Sequence, residues 1–408
     1  IDNNLSLEGK RKEIQKSKYG VSENRSKLLP QINAIAGYNN NFDPPVSVTD
    51  GSSYGVPYNI TKTLQHSANA GLEMQMPLFN QTLYTSMSIA KVMEEISRLS
   101  YGKAREDVIL QISKMYYLGQ VTAEQIMLIK ANITRLEELR DITQAFFDNG
   151  MSMEVDLKRV NINLENLKVQ YDNAQAMMKQ QLNMLKYIMD YPAEKEIALT
   201  PVNTDSITTV ALTGLSENIY ELQLSQSQVQ LAERQKKIIT NGYIPSLSLT
   251  GSWRYAAYTD KGYHWFHSGP SNQWFRSYGV GLTLRIPIFD GLDKTYKIKK
   301  AMIDIENKRL AWEDARKNLQ TQYLNAVNDL MNNQRNFKKQ KDNYLLAEDV
   351  YAVTSDRYRE GIASMTEVLQ DEMQMSEAQN NYISAHYNYR VTNLMLLKLT
   401  GQIESLVK

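Results

Sequence analysis

The chain has no cysteine, only four histidines, and almost no net charge, with 46 basic against 45 acidic side chains over 408 residues. Without cysteine there is no disulfide framework, thiolate zinc site, iron–sulfur cluster or cysteine nucleophile. Compartment stays open, because an exported protein can also lack cysteine. A formal charge of +1 removes the electrostatic footprint of a nucleic-acid binder, and no local Lys/Arg cluster restores it. Long apolar runs are missing as well: stretches such as Leu394-Met395-Leu396-Leu397 fall far short of the roughly 18–20 residues of a membrane-spanning helix. The pair His264 and His267 has no third ligand close in sequence, so a metal site is not expected there. Nucleophile elbows, phosphate loops and metal-ligand clusters are absent too, and neither enzyme activity nor a cofactor is expected. The chain opens Ile1-Asp2-Asn3, with no initiator Met and no basic-then-apolar leader, so any targeting peptide is expected to have been removed or left out.

Proline is scarce in an informative way. The ten prolines stand at 30, 44, 45, 57, 77, 192, 201, 245, 270 and 287, which leaves 78–191 and 288–408 free of them. Both free spans carry helical periodicity. One apolar seam reads Leu157, Val160, Leu164, Leu167, Tyr171, Ala174, Met178, Leu185, Ile188, and another Tyr323, Leu330, Phe337, Tyr344, Tyr351, Tyr358. A seven-residue repeat imposes left-handed supercoiling on packed helices. The stretches from about Gln81 to Phe147 and about Leu292 to Tyr358 would each be ~100 Å long as helices, so they must be coiled-coil partners. Each ends at a glycine turn, Asp148-Asn149-Gly150 or Arg359-Glu360-Gly361, and a new heptad helix follows, predicting two helical hairpins.

Elsewhere the period is two. Ile32, Ala34, Ala36 and Tyr38 follow Pro30, and Ala68, Ala70, Leu72, Met74 and Met76 precede Pro77. Leu247, Leu249, Trp253, Tyr255 and Ala257 follow Pro245, and Tyr278, Val280, Leu282, Leu284 and Ile286 precede Pro287. These predict four strands in two hairpins, each strand with one apolar and one polar face. Pro30 and Pro245 are expected to switch helix to strand without a loop. The connections at about 43–64 and 259–276 read as long loops rich in Gly, Ser, Asn and aromatics. Such strands suit an outer-membrane barrel, although the same alternation describes a half-buried soluble sheet. Four strands cannot close alone; three copies could. The 25 tyrosines against 8 phenylalanines also suit surfaces that are part wet and part apolar.

An internal duplication runs through these features. Gly71–Phe79 aligns on Gly281–Phe289 at an offset of 210, after which an offset of 211 places Ala90 on Ala301, Phe147 on Tyr358 and Gly150 on Gly361. Upstream, Asn3, Leu7 and Pro30 fall on Asn218, Leu222 and Pro245 at an offset of 215. Two tandem copies of helix–strand–strand–long helix–helix are expected, joined by an unrepeated insert at 191–215.

Ser26-Lys27-Leu28-Leu29-Pro30-Gln31, the hairpin ends Met76–Phe79 and Ile286–Phe289, the turn Tyr358–Gly361 with Thr366-Glu367-Val368-Leu369, and Ala385–Tyr389 leading to Leu399-Thr400-Gly401 together resemble the TolC family of outer-membrane channel proteins. The resemblance covers nearly the whole chain. It implies a mainly α fold with a β-barrel contribution: a homotrimer whose long coiled-coil helices form a periplasmic α-barrel, with four strands per chain completing a twelve-stranded barrel in outer-membrane lipid. The segments are then a helix at 1–29, a barrel hairpin at 30–79, and a helical hairpin at 80–190 with its tip at 147–153. The equatorial insert at 191–215 follows, then a helix at 216–244, the second barrel hairpin at 245–289, and the second helical hairpin at 290–408 with its tip at 358–365. The implied function is the exit duct of a tripartite efflux or type I secretion system, served by a periplasmic adaptor and an inner-membrane pump of the RND or ABC type, passing drugs, toxins or proteins out of a Gram-negative cell.

The family rings its closed aperture with acidic residues just after the second tip. The matching positions are Glu367 and Gln370; the second is not acidic here, though Asp371 is adjacent and falls where the first repeat has the seam residue Val160. Three copies near an axis would attract cations and raise each other's carboxyl pKa. Glu367 has a structural reading too, since Ser364-Met365-Thr366-Glu367 is a capping box. Expected adaptor contacts are Phe147, Asn149, Gly150, Met151, Ser152, Tyr358, Gly361, Ile362 and Ala363; expected barrel-lumen residues are Glu73, Gln75, Thr283 and Arg285. The rival reading is a soluble periplasmic adaptor or structural coiled coil. It accounts for the heptads but not for two strand hairpins in register with paired long helices.

Overall fold

A computed structural model describes residues 3–201, 214–260 and 273–407. The element order is α1 (Leu5–Ser26), β1 (Gln31–Asn40), β2 (Val46–Asp50), β3 (Tyr58–Lys62), β4 (His66–Phe79), α2 (Gln81–Asp148) and α3 (Glu154–Met189). The second half follows a similar order without a counterpart of β2 and β3 among the described residues: α4 (Tyr220–Asn241), β5 (Ser246–Thr259), β6 (Trp274–Arg285), α5 (Asp293–Arg359) and α6 (Met365–Leu399). The two long helices, of 68 and 67 residues, start and stop within a residue or so of the spans expected from the breakers.

Contacts divide the chain into two units. One comprises Gln15–Glu95 and Ser227–Lys308, and its centre is an antiparallel sheet in the order β1-β4-β5-β6. The four long strands alternate over most of their length: Glu73 pairs with Asn33 and Ser252, while Leu72 pairs with Ala34 and Trp253, so one face is mainly polar and the other mainly apolar, with Ile35 and Phe275 on the polar face and Arg276 on the apolar one. Gly71 is needed where β4 meets β5, because a Cβ there would run into the Trp253 carbonyl and the Arg254 backbone. Two details differ from the sequence reading. The first connection holds a short second hairpin, β2 on β3, in which Val48 pairs with Ile60 across Gly51–Gly55. Its alternation spans only five residues a side, too short to stand out from a loop. Helix also does not pass directly into strand at Pro30 and Pro245. Four-residue turns intervene, closed by Leu29 N–H to Ser26 O and Ile244 N–H to Asn241 O, because a helix that must stop before proline tightens its last turn to satisfy its carbonyls.

The other unit comprises Ile1–Ile14, Ile96–Gln226 and Arg309–Lys408. Its interior is a series of buried seams between helices rather than one round core. Leu136, Leu139, Val160, Leu164, Leu167, Tyr351, Val368 and Met375 form one; Leu222, Leu319, Leu330, Tyr389 and Leu396 another. A polar line also crosses between α2 and α6. Tyr382 donates to Glu124 at 2.9 Å, Asn132 donates to Gln379 at 2.7 Å, and fully buried His386 lies 3.3 Å from Glu124. Arg390 donates to Nε2 of that histidine at 3.0 Å, which leaves Nδ1 to carry the proton facing Glu124. Polar pairs at helical seams fix register, since a slip would orphan each of them. Of the insert, 202–213 lie outside the described residues, as do His264, His267, Tyr263, Trp265 and Phe266.

Candidate functional site: helical tips and a polar sheet face

Two turns close the helical hairpins. At both, the glycine takes the left-handed conformation, φ 70° at Gly150 and 76° at Gly361. Met151 N–H reaches Phe146 O and Gly150 N–H reaches Phe147 O; Ile362 to Arg357 and Gly361 to Tyr358 repeat the arrangement. These are Schellman ends, which turn the orphan carbonyls of a helix inward and fold the chain back at once. The starts of the returning helices differ. Ser364 and Glu367 form a complete capping box before α6, whereas Met153 offers α3 no side-chain cap.

Between the turns lies an open groove of about 700 Å³, lined by residues that include Gly150, Met151, Ser152, Tyr358, Gly361 and Ala363. Phe147, Asn149, Met151 and Ile362 are exposed beside it. The Ser152 hydroxyl is buried without a hydrogen-bond partner among the described residues. Tyr358, expected as a contact residue, is instead 6% exposed: its hydroxyl lies 3.2 Å from Thr143 Oγ1 and its ring centroid 5.6 Å from that of Phe146. It fastens α5 to α2 just behind the turn. Arg359 to Glu138 at 3.3 Å and Arg135 to Glu348 at 3.2 Å add two further ties between the same helices.

The acidic positions separate into different environments. Glu367 is exposed, and hydrogen bonds from the Ser364 backbone and hydroxyl hold its carboxyl below the usual carboxylate range. Gln370 is exposed and Asp371 half-buried. The seam position expected for Asp371 belongs to its neighbour: Glu372 is 5% exposed, with Oε1 unpartnered among the described residues. Burial pushes its pKa up, against the pull of Arg135. The physical reason is that α6 is buried on the row Met365, Val368, Glu372, Met375, Gln379, Tyr382, His386, Tyr389, while α3 is buried along Val160, Leu164 and Leu167. Contacts of α6 with α2 at Val121 and Ile109 rotate its buried face by about one residue relative to the repeat. A seven-residue row from Val368 steps over Glu372, and the first repeat points to Asp371 instead.

On the sheet, Glu73, Gln75, Thr283 and Arg285 share the polar face, with Gln75 paired to Thr250, Thr283 to Ser248 and Arg285 to Ser246. A hollow of about 510 Å³ on that face is lined by Asn33, Glu73, Gln75, Thr250, Ser252 and Arg254, with glycines at 279 and 281. Arg254 donates to Glu73 across β4 and β5, a partner the sequence reading did not find because it is diagonal in register. The opposite face exposes Ile32, Leu72, Trp253, Tyr278, Val280, Leu282 and Leu284, with Val280 79% accessible. No described helix is long and apolar enough to cross a membrane.

Comparison with known proteins agrees with this architecture. The outer membrane efflux protein family matches residues 1–189 and 211–402. Outer membrane protein TolC of Vibrio cholerae is 21% identical over 399 residues, covering 94% of this chain and 84% of its own. The probable efflux pump outer membrane protein TtgC of Pseudomonas putida is 23% identical over 379 residues, covering 88% and 75%. Among solved structures, the outer membrane protein VceC of Vibrio cholerae superposes with a TM-score of 0.76 at 14% identity, covering 98% of this chain and 93% of that one. A structure of the channel CusC gives 0.80 at 16% identity, over 98% and 89%. The soluble-adaptor reading is thereby set aside: the chain belongs to the outer membrane efflux protein family and is an outer-membrane exit duct of an efflux system.

Proposed function

We propose that three copies of the chain close one duct, passive in itself and driven by a pump and adaptor that dock on the helical tips. The observation that carries this is the open sheet. Its order leaves β1 and β6 as unpaired edges, and because successive strands alternate in direction, β6 of one copy is antiparallel to β1 of the next. Such a heterologous contact closes into a ring when the rotation allows it. Twelve strands enclose a lumen that the polar face lines, with Glu73, Gln75, Thr283 and Arg285 inside and the apolar face against lipid. The helices support the same assembly. On α5, exposed Leu310, Leu324, Met331 and Leu345 share one heptad row, interrupted by Lys317 and Lys338, and on α3 exposed Val155, Ile162 and Val169 share another; neither row is buried by the described residues of the chain.

The absence of cysteine makes the test clean. Ala36→Cys on β1 with Val280→Cys on β6 should give disulfide-linked trimers under oxidation, and a neighbouring β1 position, Ala34→Cys, covers the alternative register. Only monomers from both pairs would rule out this edge-to-edge closure.

Most of the chain then lies in the periplasm, and the groove between the tips receives the adaptor, an RND- or ABC-type pump standing behind it. The exposed Phe147, Asn149, Met151 and Ile362, the glycine turns, Ala363 and the half-buried Ser152 are the contact surface. Glu367 and Asp371, with Gln370 between them, line the aperture. Glu367→Ala with Asp371→Ala should change the cation selectivity or divalent block of single channels; unchanged traces would remove the aperture role.

A further inference from the structure

We propose that Arg276 is the phosphate-binding residue of a site for an anionic glycolipid on the outward face of the barrel, an inference that rests on the barrel reading above. In register it stands opposite Tyr255 on the apolar face, where a charge is costly unless it reaches an interface or a counter-ion. It is exposed, and its guanidinium lies 5.8 Å from the centroid of Tyr278. Trp274 is two residues away on the same face, and Trp253, opposite Tyr278, meets Tyr255 edge-on at 5.5 Å. No carboxylate among the described residues pairs with Arg276, and residues 261–272, which precede it in the connection from β5, contain no acidic side chain. The nearby Asp260 already accepts from Gln65 N–H at 2.7 Å.

Depth places this cluster at a headgroup. From Leu284 to Arg276 the strand advances about 27 Å at ~3.4 Å per residue, or roughly 20 Å across the membrane at a ~40° tilt, close to the ~25 Å apolar band of such barrels. Arg276 is at the loop end of the sheet, opposite the end where β4 and β6 lead back to the helices, so it faces the outer leaflet. An arginine held over a tyrosine and flanked by interfacial tryptophans keeps its fork of N–H donors free for a phosphate, while the rings cover sugar and upper acyl chain. The outer leaflet of such a membrane supplies that chemistry as a phosphorylated glycolipid of the lipid A type, and the proposal commits to it over glycerophospholipid.

The test is native mass spectrometry of the full-length purified protein titrated with lipid A, dephosphorylated lipid A or phosphatidylglycerol. Wild type should retain lipid A, with about one site per chain; Arg276→Gln should weaken it about tenfold, and Arg276→Lys by less, as expected for loss of a charge-assisted bidentate contact. Equal retention by Arg276→Gln, equal binding of the dephosphorylated lipid, or equal binding of phosphatidylglycerol would each overturn the proposal. Arg276→Gln should still form inserted trimers of wild-type conductance, so loss of lipid with assembly intact supports the site. If wild type itself gave no inserted trimer, the barrel reading would fall and this site with it.

Discussion

At the residue scale, the buried carboxylates carry the strongest pH dependence. Glu106 is 4% exposed, and burial, reinforced by Glu404 and Asp107 and opposed by Lys398, raises its pKa from 4.5 to about 7. The folded protein therefore holds that proton more tightly than the unfolded chain does. Stability from this group is greatest below about pH 4.5, falls as pH rises toward 7, and stays low above it. Glu106→Gln should flatten the fall, raising the thermal midpoint at about pH 8 by the equivalent of ~1–2 kcal/mol while leaving it nearly unchanged at about pH 4. A parallel pair of melting curves for wild type and variant decides it; equal differences at both values would show that ionisation is not the cause. Neither Glu106 nor Glu372 was picked out by the sequence reading. Carboxylates are abundant on solvated coiled-coil faces, and which of them turns inward depends on which second helix covers it.

At the scale of the element, the two tips make a controlled comparison within one chain. Both glycines hold the same left-handed turn, so Gly361→Ala should destabilise the second tip by ~1–2 kcal/mol, the cost of forcing a Cβ into that conformation. The caps differ, which gives a prediction of opposite sign at the other tip. Met153 is 70% exposed at an uncapped start, so Met153→Ser loses little packing and supplies an acceptor for α3, worth about 1 kcal/mol; Ser364→Ala should lose a similar amount at α6. Hydrogen exchange of the first-turn amides, faster in one variant and slower in the other, reads both. At the far ends the repeats diverge again. Gly401 ends α6 with φ 70°, but Asp190, at the same place in the first repeat, adopts φ 51°. A short polar side chain tolerates that region better than most, so the left-handed turn forms at Asp190 without a glycine.

At the scale of the whole molecule, the described residues leave unmatched one apolar sheet face, two sheet edges with free backbone groups, and two helix rows with exposed apolar residues. Leu324→Glu together with Ile162→Glu should shift the detergent-solubilised protein from trimer to monomer in mass photometry, because charge at coiled-coil seam positions opposes association. The single chain should keep its helical content, as neither residue is buried within it. A trimer that persists would mean that these rows face solvent or lipid in the assembly.

The sequence by itself located the two long helices to within a residue or so and the four long strands to within a few residues, because proline, glycine and the switch between periods of seven and two are local properties of neighbouring residues. It also assigned the polar and apolar sides of each strand, since alternation needs no partner, and the expected lumen residues do share one face. The tertiary structure alone decided what depends on a neighbour distant in the chain: that Arg254 pairs with Glu73, that Tyr358 is a buried fastening on Thr143, and that Glu372 rather than Asp371 enters the seam of α6. A heptad names the face a helix can bury, but α6 meets α2 on one side as well as its own repeat partners, and packing between three helices selects a face that no single periodicity encodes.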